Sequence, residues 1–220
     1  MGSSPPSASR LTGLQQAVLR AFFERERGFF LTGGAALAGY HLGHRVTDDL
    51  DLFTLADDAF ERARHVVGAL AAELGATLEV VQDAPGFRRV VLRRADEGLV
   101  VDLVRDRSYQ LHVHKPLVDG VAIDPPDEIL ANKLTTIVGR AEERDLVDVL
   151  MLERTGLRVE DALAAALQKD GGCTPATLAW LLSQIEIPDD AVLPAGVSGM
   201  ELRTWVADLI VRMRRAAHPH

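Results

Sequence analysis

Cysteine is all but missing from this chain. Cys173 stands alone, which excludes an internal disulfide and a cysteine metal cluster, and nothing in its sequence surroundings marks it as a nucleophile, so it reads as a structural thiol. Long apolar runs are missing too. None approaches the ~20 residues that a bilayer span needs, and the N-terminal MGSSPPSASR lacks the charged-then-apolar plan of a signal peptide, so a cytoplasmic location with no membrane partner is expected. Positive charge is in deficit, with 24 Lys and Arg against 32 Asp and Glu and a net charge of −8. That balance argues against a protein that coats nucleic acid nonspecifically, because phosphate neutralisation supplies most of such affinity. It leaves room for a local basic groove, for which Arg88, Arg89, Arg93 and Arg94, then Arg105, Arg107 and Lys115, are the candidates. The folded part shows no internal repeat, low-complexity tract or heptad pattern.

What is present is an ordinary globular composition, 47% hydrophobic and 25% charged over 220 residues, enough for one core or for one domain with a helical extension. Residues 1–10 are Ser- and Pro-rich and are expected to be a disordered leader. Leu14, Val18, Leu19, Phe22 and Phe23 recur at helical spacing, which predicts an amphipathic helix over 11–27. An apolar run, Phe29 to Leu31, then meets Gly33-Gly34, where missing side chains let backbone approach a ligand and N–H groups face an anion at a helix start. A helix from Ala35 to Leu42 follows, then the strand Asp49-Leu50-Asp51-Leu52-Phe53. On a strand of period two, Asp49 and Asp51 share one face while Leu50 and Leu52 share the other. Their separation of roughly 6.5 Å along the strand lets both carboxylates reach the same one or two hard cations. The pattern points to metal-assisted work on a phosphate; its bland alternative is a solvated edge strand after a common glycine turn.

Downstream, Thr54 and Asp57 resemble a helix cap, and Phe60, Ala63, Val67, Leu70, Ala71 and Leu74 mark the buried face of a helix ending at Gly75. Leu78–Gln82, Phe87–Leu92 and Leu99–Val104 read as a three-strand meander joined by Asp83-Ala84-Pro85-Gly86 and Ala95-Asp96-Glu97-Gly98. Asp102 sits in the third strand with apolar residues on both sides, and a buried carboxylate needs a partner. Either it lies on an edge or pairs with Arg105, or it joins Asp49 and Asp51 as a third cation ligand. His112 and His114 have no acid or cysteine at ligand spacing and read as solvated or core-satisfied. A strand over 118–123 leads to Asp124-Pro125-Pro126-Asp127-Glu128, a helix start with prolines in the first turn and acids at the positive dipole end. The helix 129–140 carries Lys133 beside its apolar face. Arg144-Asp145-x-x-Asp148 follows and reads either as intrahelical ion pairs or as part of a site. Helices over 159–168, from Thr174-Pro175, and over 201–215 after a Ser198–Glu201 capping box complete the chain, with Pro188 to Gly196 a loop. Arg212, Arg214 and Arg215 complement the last helix dipole or touch an acceptor nucleic acid.

Gly33, Gly34, His44, Arg45, Thr47, Asp49, Asp51 and Phe53, with Lys133, Arg140, Arg144-Asp145, Asp148 and Leu150, resemble the pattern of the AbiEii/AbiGii-type toxins, within the DNA polymerase β-like nucleotidyltransferases. The resemblance covers 29–152. Two positions depart from it: Ala35 stands where the superfamily usually has Ser or Thr, and Val147 where the family usually has Tyr. It implies an α/β (α+β) fold with a small mixed sheet flanked by helices over 11–124, and a helical region over 125–220 closing over a cleft. It implies a nucleotidyltransferase using Mg²⁺ or Mn²⁺ on Asp49, Asp51 and Asp102. A nucleoside triphosphate would be held by Gly33, Gly34, Arg45, Thr47, Lys133 and Asp148, with Asp145 also in the catalytic set. It implies an RNA acceptor such as a tRNA 3′ end, and an antitoxin partner. The rival readings are nucleotidyl transfer to a small molecule or protein, and a non-catalytic nucleotide-binding module.

Overall fold

A computed structural model describes residues 9–218, and their contacts divide into two units. One runs up to Arg107 and takes in His114–Pro125; the other is Ser108–Val113 with the chain from Pro126 onward. Residues 1–8 of the expected leader lie outside the described residues. Arg10, at its end, is tied down, giving its N–H to the Ala38 carbonyl (3.1 Å) and its Nε–H to that of Gly43 (3.2 Å).

The first unit is built on the sheet β1-β2-β5-β4-β3, formed by β1 (Phe29–Thr32), β2 (Asp49–Thr54), β3 (Thr77–Ala84), β4 (Phe87–Arg94) and β5 (Glu97–Arg105). The expected meander is there, as antiparallel β3, β4 and β5. What local patterning did not show is that β5 then pairs parallel with β2, so the last meander strand lies in the middle of the sheet. Helix α1 (Gly13–Arg25) opens on a capping box between Thr12 and Gln15. Helix α3 (Asp57–Glu73) buries Ala63, Val67, Leu70 and Ala71. The expected cap at Thr54 does not form: its hydroxyl donates to the Gly28 carbonyl at 2.5 Å, and the helix starts after Ala56 without a side-chain cap. The strand expected over 118–123 is a hairpin of β6 (Leu117–Val118) and β7 (Val121–Ala122). Asp119 and Gly120 take positive φ at its tip, the conformation of a tight two-residue hairpin turn.

The second unit is helical: α4 (Pro126–Gly139), α5 (Glu143–Arg154), α6 (Val159–Lys169), α7 (Pro175–Leu182) and α8 (Gly199–Ala217). Thr174 caps α7 through the N–H of Thr177, and Ser198 caps α8 through that of Glu201. The Glu201 side chain does not complete the expected box and pairs with Arg154 instead. Arg212 is neither a dipole complement nor an exposed contact, since it bridges Glu153, Glu160 and Asp208. Cys173 is fully buried, and burial first, with Asp170 behind it, pushes its thiol up to about 12. No helix among the described residues is long and apolar enough to cross a membrane.

Glu128 pins the segment 108–113 onto this unit. Fully buried, it accepts the N–H groups of Leu111 (3.2 Å) and His112 (2.7 Å) and pairs with buried Lys169 at 2.6 Å. Burial alone would raise its carboxyl, but Lys169 and the two N–H groups hold it below the ordinary 4.5. A carboxyl lowered on folding stabilises above its unfolded value, and the contribution fades as pH falls through the folded one. Glu128→Gln leaves Lys169 without its carboxylate partner, at a cost of about 3–5 kcal/mol near neutrality. Urea denaturation should show that gap at pH 7 and a narrower one near pH 4; a gap independent of pH would refute the ion-pair account.

Candidate active site

The glycine turn, the loop before β2 and the acids form one cluster in the first unit. Thr32 ends β1, and α2 (Gly33–Ala36) starts on the glycines themselves before loosening into a π-helical turn, Leu37–His41. Gly33 has φ +65°, and a Cβ placed there would lie 2.2 Å from Asp51 Oδ2. A side chain at Gly34 would come 2.6 Å from Arg45 Nη2 and 3.3 Å from Thr47 Oγ1. The two bare backbones are therefore what admits Asp51 on one side and Arg45 with Thr47 on the other. Thr47 Oγ1 donates to Asp49 Oδ1 at 2.5 Å, and its carbonyl accepts from the buried Gln15 amide at 2.7 Å, which fixes the approach to β2. Ala35 is fully buried, so the residue after the second glycine faces the core.

Along β2 the side chains alternate in burial, with Leu50 and Leu52 in the core and Asp49, Asp51 and Phe53 half-buried. Parallel register places Asp51 opposite Asp102 on β5, and antiparallel register places Asp102 opposite Arg89 on β4. Asp51, Asp102 and Arg89 thus form a row across three neighbouring strands on one face. Asp102 is buried on a central strand and its partner is Arg89, which donates Nε–H to Oδ1 (2.8 Å) and Nη2–H to Oδ2 (2.6 Å). Both structural alternatives expected for Asp102 fail. β5 is not an edge, and Arg105 pairs with Asp57 at 2.9 Å. The Arg89 guanidinium is pushed up, first by its hydrogen bonds to Asp102 and then by the charges of Asp102, Asp51 and Asp49 against the opposing effect of burial. Sequence reasoning noted Arg89 only as one of a basic run; its role is visible in register, which is a long-range property.

Carboxylate oxygens are the donor chemistry that a hard divalent cation takes. Asp49, Asp51 and Asp102 fit such an ion by type. Among the described residues, however, no three acidic, histidine or cysteine side chains converge closely enough to hold one, and both Asp102 oxygens are engaged by Arg89.

The second unit holds its own buried charges. Lys133 Nζ lies 2.7 Å from Asp145 Oδ1 and 2.7 Å from Asp148 Oδ2, and all three residues are buried. Burial would lower the ammonium, but the Asp148 and Asp145 charges outweigh it and hold the group above its ordinary value. The pairs run between α4 and α5, so the intrahelical alternative for Asp145 and Asp148 is wrong; Arg144 turns to Glu142 instead. Asp145 Oδ2 has no hydrogen-bond donor among the described residues, and Arg140 Nε stands 3.4 Å away. His112 Nε2 meets Asp127 at 2.7 Å.

Gly33→Ala should lose about 1–3 kcal/mol to backbone strain, plus the cost of displacing Asp51. Gly75→Ala, at φ +64° with nothing within 4 Å of its would-be Cβ, serves as the control for strain alone. Chemical denaturation should find Gly33→Ala the worse of the two; equal losses would remove the argument for close packing on Asp51. Lys133→Met strands two buried carboxylates at a cost of about 3–5 kcal/mol, and adding Asp145→Asn and Asp148→Asn should restore much of it. Calorimetry of the single and triple variants checks this, and a triple variant no more stable than the single one would contradict it.

Comparison with known proteins identifies a family and a fold. Residues 17–198 match the family described as nucleotidyl transferase AbiEii toxin, type IV TA system. A crystal structure titled as a candidate nucleotidyltransferase from H. pylori superposes with a TM-score of 0.53 at 17% identity, covering 93% of this chain and 95% of that one. The structure of JHP933 from Helicobacter pylori gives 0.54 at 18% identity, covering 93% and 92%. At such identities the likeness is one of fold. No curated protein matches the sequence. The family match spans most of the chain, and the protein belongs to the AbiEii nucleotidyltransferase toxins.

Proposed function

We propose that this nucleotidyltransferase moves a nucleoside monophosphate from a nucleoside triphosphate to an RNA acceptor such as a tRNA 3′ end, in a divalent-metal-dependent reaction restrained by a cognate antitoxin. The observation that carries the reading is the placement of Asp51 against bare Gly33 and opposite Asp102. In the step proposed, the acceptor hydroxyl oxygen bonds to the α-phosphorus, the bond to the bridging oxygen breaks, and pyrophosphate leaves. Gly33, Gly34, Arg45 and Thr47 are the residues proposed to hold the phosphates. Asp102 is the group proposed to take the hydroxyl proton. The chemistry that Mg²⁺ or Mn²⁺ supplies when held by Asp49, Asp51 and Asp102 is acidification of the acceptor hydroxyl and neutralisation of the departing pyrophosphate. For Lys133, in the helical unit, the proposed role is a point charge on a phosphate oxygen, with Asp145 and Asp148 keeping it charged.

One observation favours a second reading, transfer to a small molecule or protein. The basic run expected to form a groove is largely matched by acids: Arg88 with Asp83, Arg94 with Glu97, Arg105 and Arg107 with Asp57, Lys115 with Asp124. Incubation with Mg²⁺, each labelled nucleoside triphosphate in turn, and total tRNA or cell extract separates the two. Label on tRNA is expected, absent in Asp51→Ala and reduced roughly 10²–10³-fold in Lys133→Ala, the usual cost of one charge-stabilising donor. Label only on protein or small molecules would sink the RNA version. Nucleotide binding without transfer to any acceptor would favour a non-catalytic module.

A further inference from the structure

Ala35, Ala36, Leu37 and Ala38 bury the middle of the segment that carries the glycine turn, but among the described residues neither α2 nor the π-helical turn has a side-chain cap. Its two ends are tied instead to a single buried residue, Asp124, just after the β6–β7 hairpin. At the leading end, Thr32 Oγ1 donates to Asp124 Oδ2 at 2.6 Å, and the Leu31 carbonyl accepts the Asp124 N–H at 2.9 Å. At the trailing end, His41 Nε2 lies 2.8 Å from the Asp124 carbonyl, and since a carbonyl only accepts, the imidazole donates. Asp124 thus bonds through its carboxylate, its N–H and its carbonyl. Thr32 is also the antiparallel partner of Asp51, and Gly33 beside it is the residue whose bare backbone admits that acid. Lys115 supplies the counter-charge. Its Nζ stands 2.7 Å from Asp124 Oδ1 and 4.5 Å from the centre of the Phe30 ring, and the two paired side chains are only 4% and 1% exposed. A buried ion pair is weak evidence of stabilisation, because apolar residues of similar volume often serve a fold as well. What apolar residues do not supply is the acceptor that the Thr32 hydroxyl uses.

We propose that Asp124 is a positioning residue for the nucleoside triphosphate: it clamps the glycine turn at both ends, with Lys115 as its buried counter-charge, so that Gly33 and Gly34 meet the phosphates in one fixed place beside Asp51. Asp124 acts through Thr32 and His41 and touches no reacting atom. The proposal rests on the nucleotidyl-transfer reading above.

The test uses the full chain and the triphosphate that labels its acceptor in the assay above. Thr32→Val keeps the shape of the side chain and removes the hydroxyl. It should raise the triphosphate KM about three- to tenfold, more than it lowers kcat. Amide hydrogen exchange over 33–41 should quicken as well, while β4 and β5 exchange as in the native chain. Thr32→Ser keeps the hydroxyl and should restore both readings to within about twofold. The triple variant Thr32→Val, Lys115→Met and Asp124→Leu makes the cluster apolar and should melt close to the native chain while its KM stays raised, a split that a merely structural role would not give. If the triple variant is unfolded or melts early, Thr32→Val against Thr32→Ser carries the comparison. Native KM and native exchange in Thr32→Val overturn the proposal, as does a triple variant with both a native melting temperature and a native KM. Exchange quickened evenly through the chain would reduce Asp124 to a stability element and overturns it too. Where the native chain transfers label and the variants match it, the clamp alone fails. A native chain that binds no triphosphate removes the transfer reading, and the clamp's role with it.

Discussion

Two strands that run parallel cannot be joined by a tight turn, and between β2 and β5 the chain inserts α3 and the β3–β4 hairpin before it returns. That return is the constraint on which the acid row depends. Only by pairing with β2 does β5 bring Asp102 opposite Asp51, and only because β4 turns back on β5 does Arg89 come opposite Asp102. The apolar residues enforce the register. A slip by one residue would turn Leu50, Leu52, Val101 and Leu103 out of the core and the acids into it.

Charge is handled in the same way in both units. Asp102 has its fork from Arg89, Lys133 sits between two carboxylates, and Glu128 takes two N–H groups and an ammonium. In each case the interior group is held by more than one contact, as a buried charge demands. Asp49, Asp51 and their neighbours Gly33 and Arg45 differ in being half-buried, which is where a phosphate-handling enzyme of the AbiEii family needs access.

What could be read in the sequence was what local periodicity encodes. Asp49 and Asp51 on one strand face, the meander and the caps at Thr174 and Ser198 all follow from patterns a few residues long, whereas the small mixed sheet is implied by the family resemblance alone. Errors arose where the decisive partner lay far along the chain. For Asp102 the local sequence offers an edge position or nearby Arg105 beside a cation-ligand role, whereas strand register selects Arg89 as its partner. Thr54 looked like a cap, but its hydroxyl is taken by Gly28, 26 residues earlier. For Asp145 and Asp148 the sequence leaves intrahelical pairing and a site role open, and packing of α5 on α4 brings Lys133 to both. The Asp119-Gly120 turn was local and simply misread as strand. Arg45 and Thr47 were recognised by resemblance, and their place against Gly34 became visible only when the loop folded back.

The edge strand β3 carries a bulge between Val80 and Gln82. A sheet with a bare edge can recruit a strand from another molecule and grow. At the β1 side that edge is occupied, because Ile123 bridges Leu31 and Asp124 donates its N–H to the same residue. At the other side β3 presents Val80 and Val81 to solvent, 43% and 55% exposed, with the register break just there. A strand that is bent at its most apolar point is a poor template, so the irregularity between Val80 and Gln82 works against edge-to-edge aggregation.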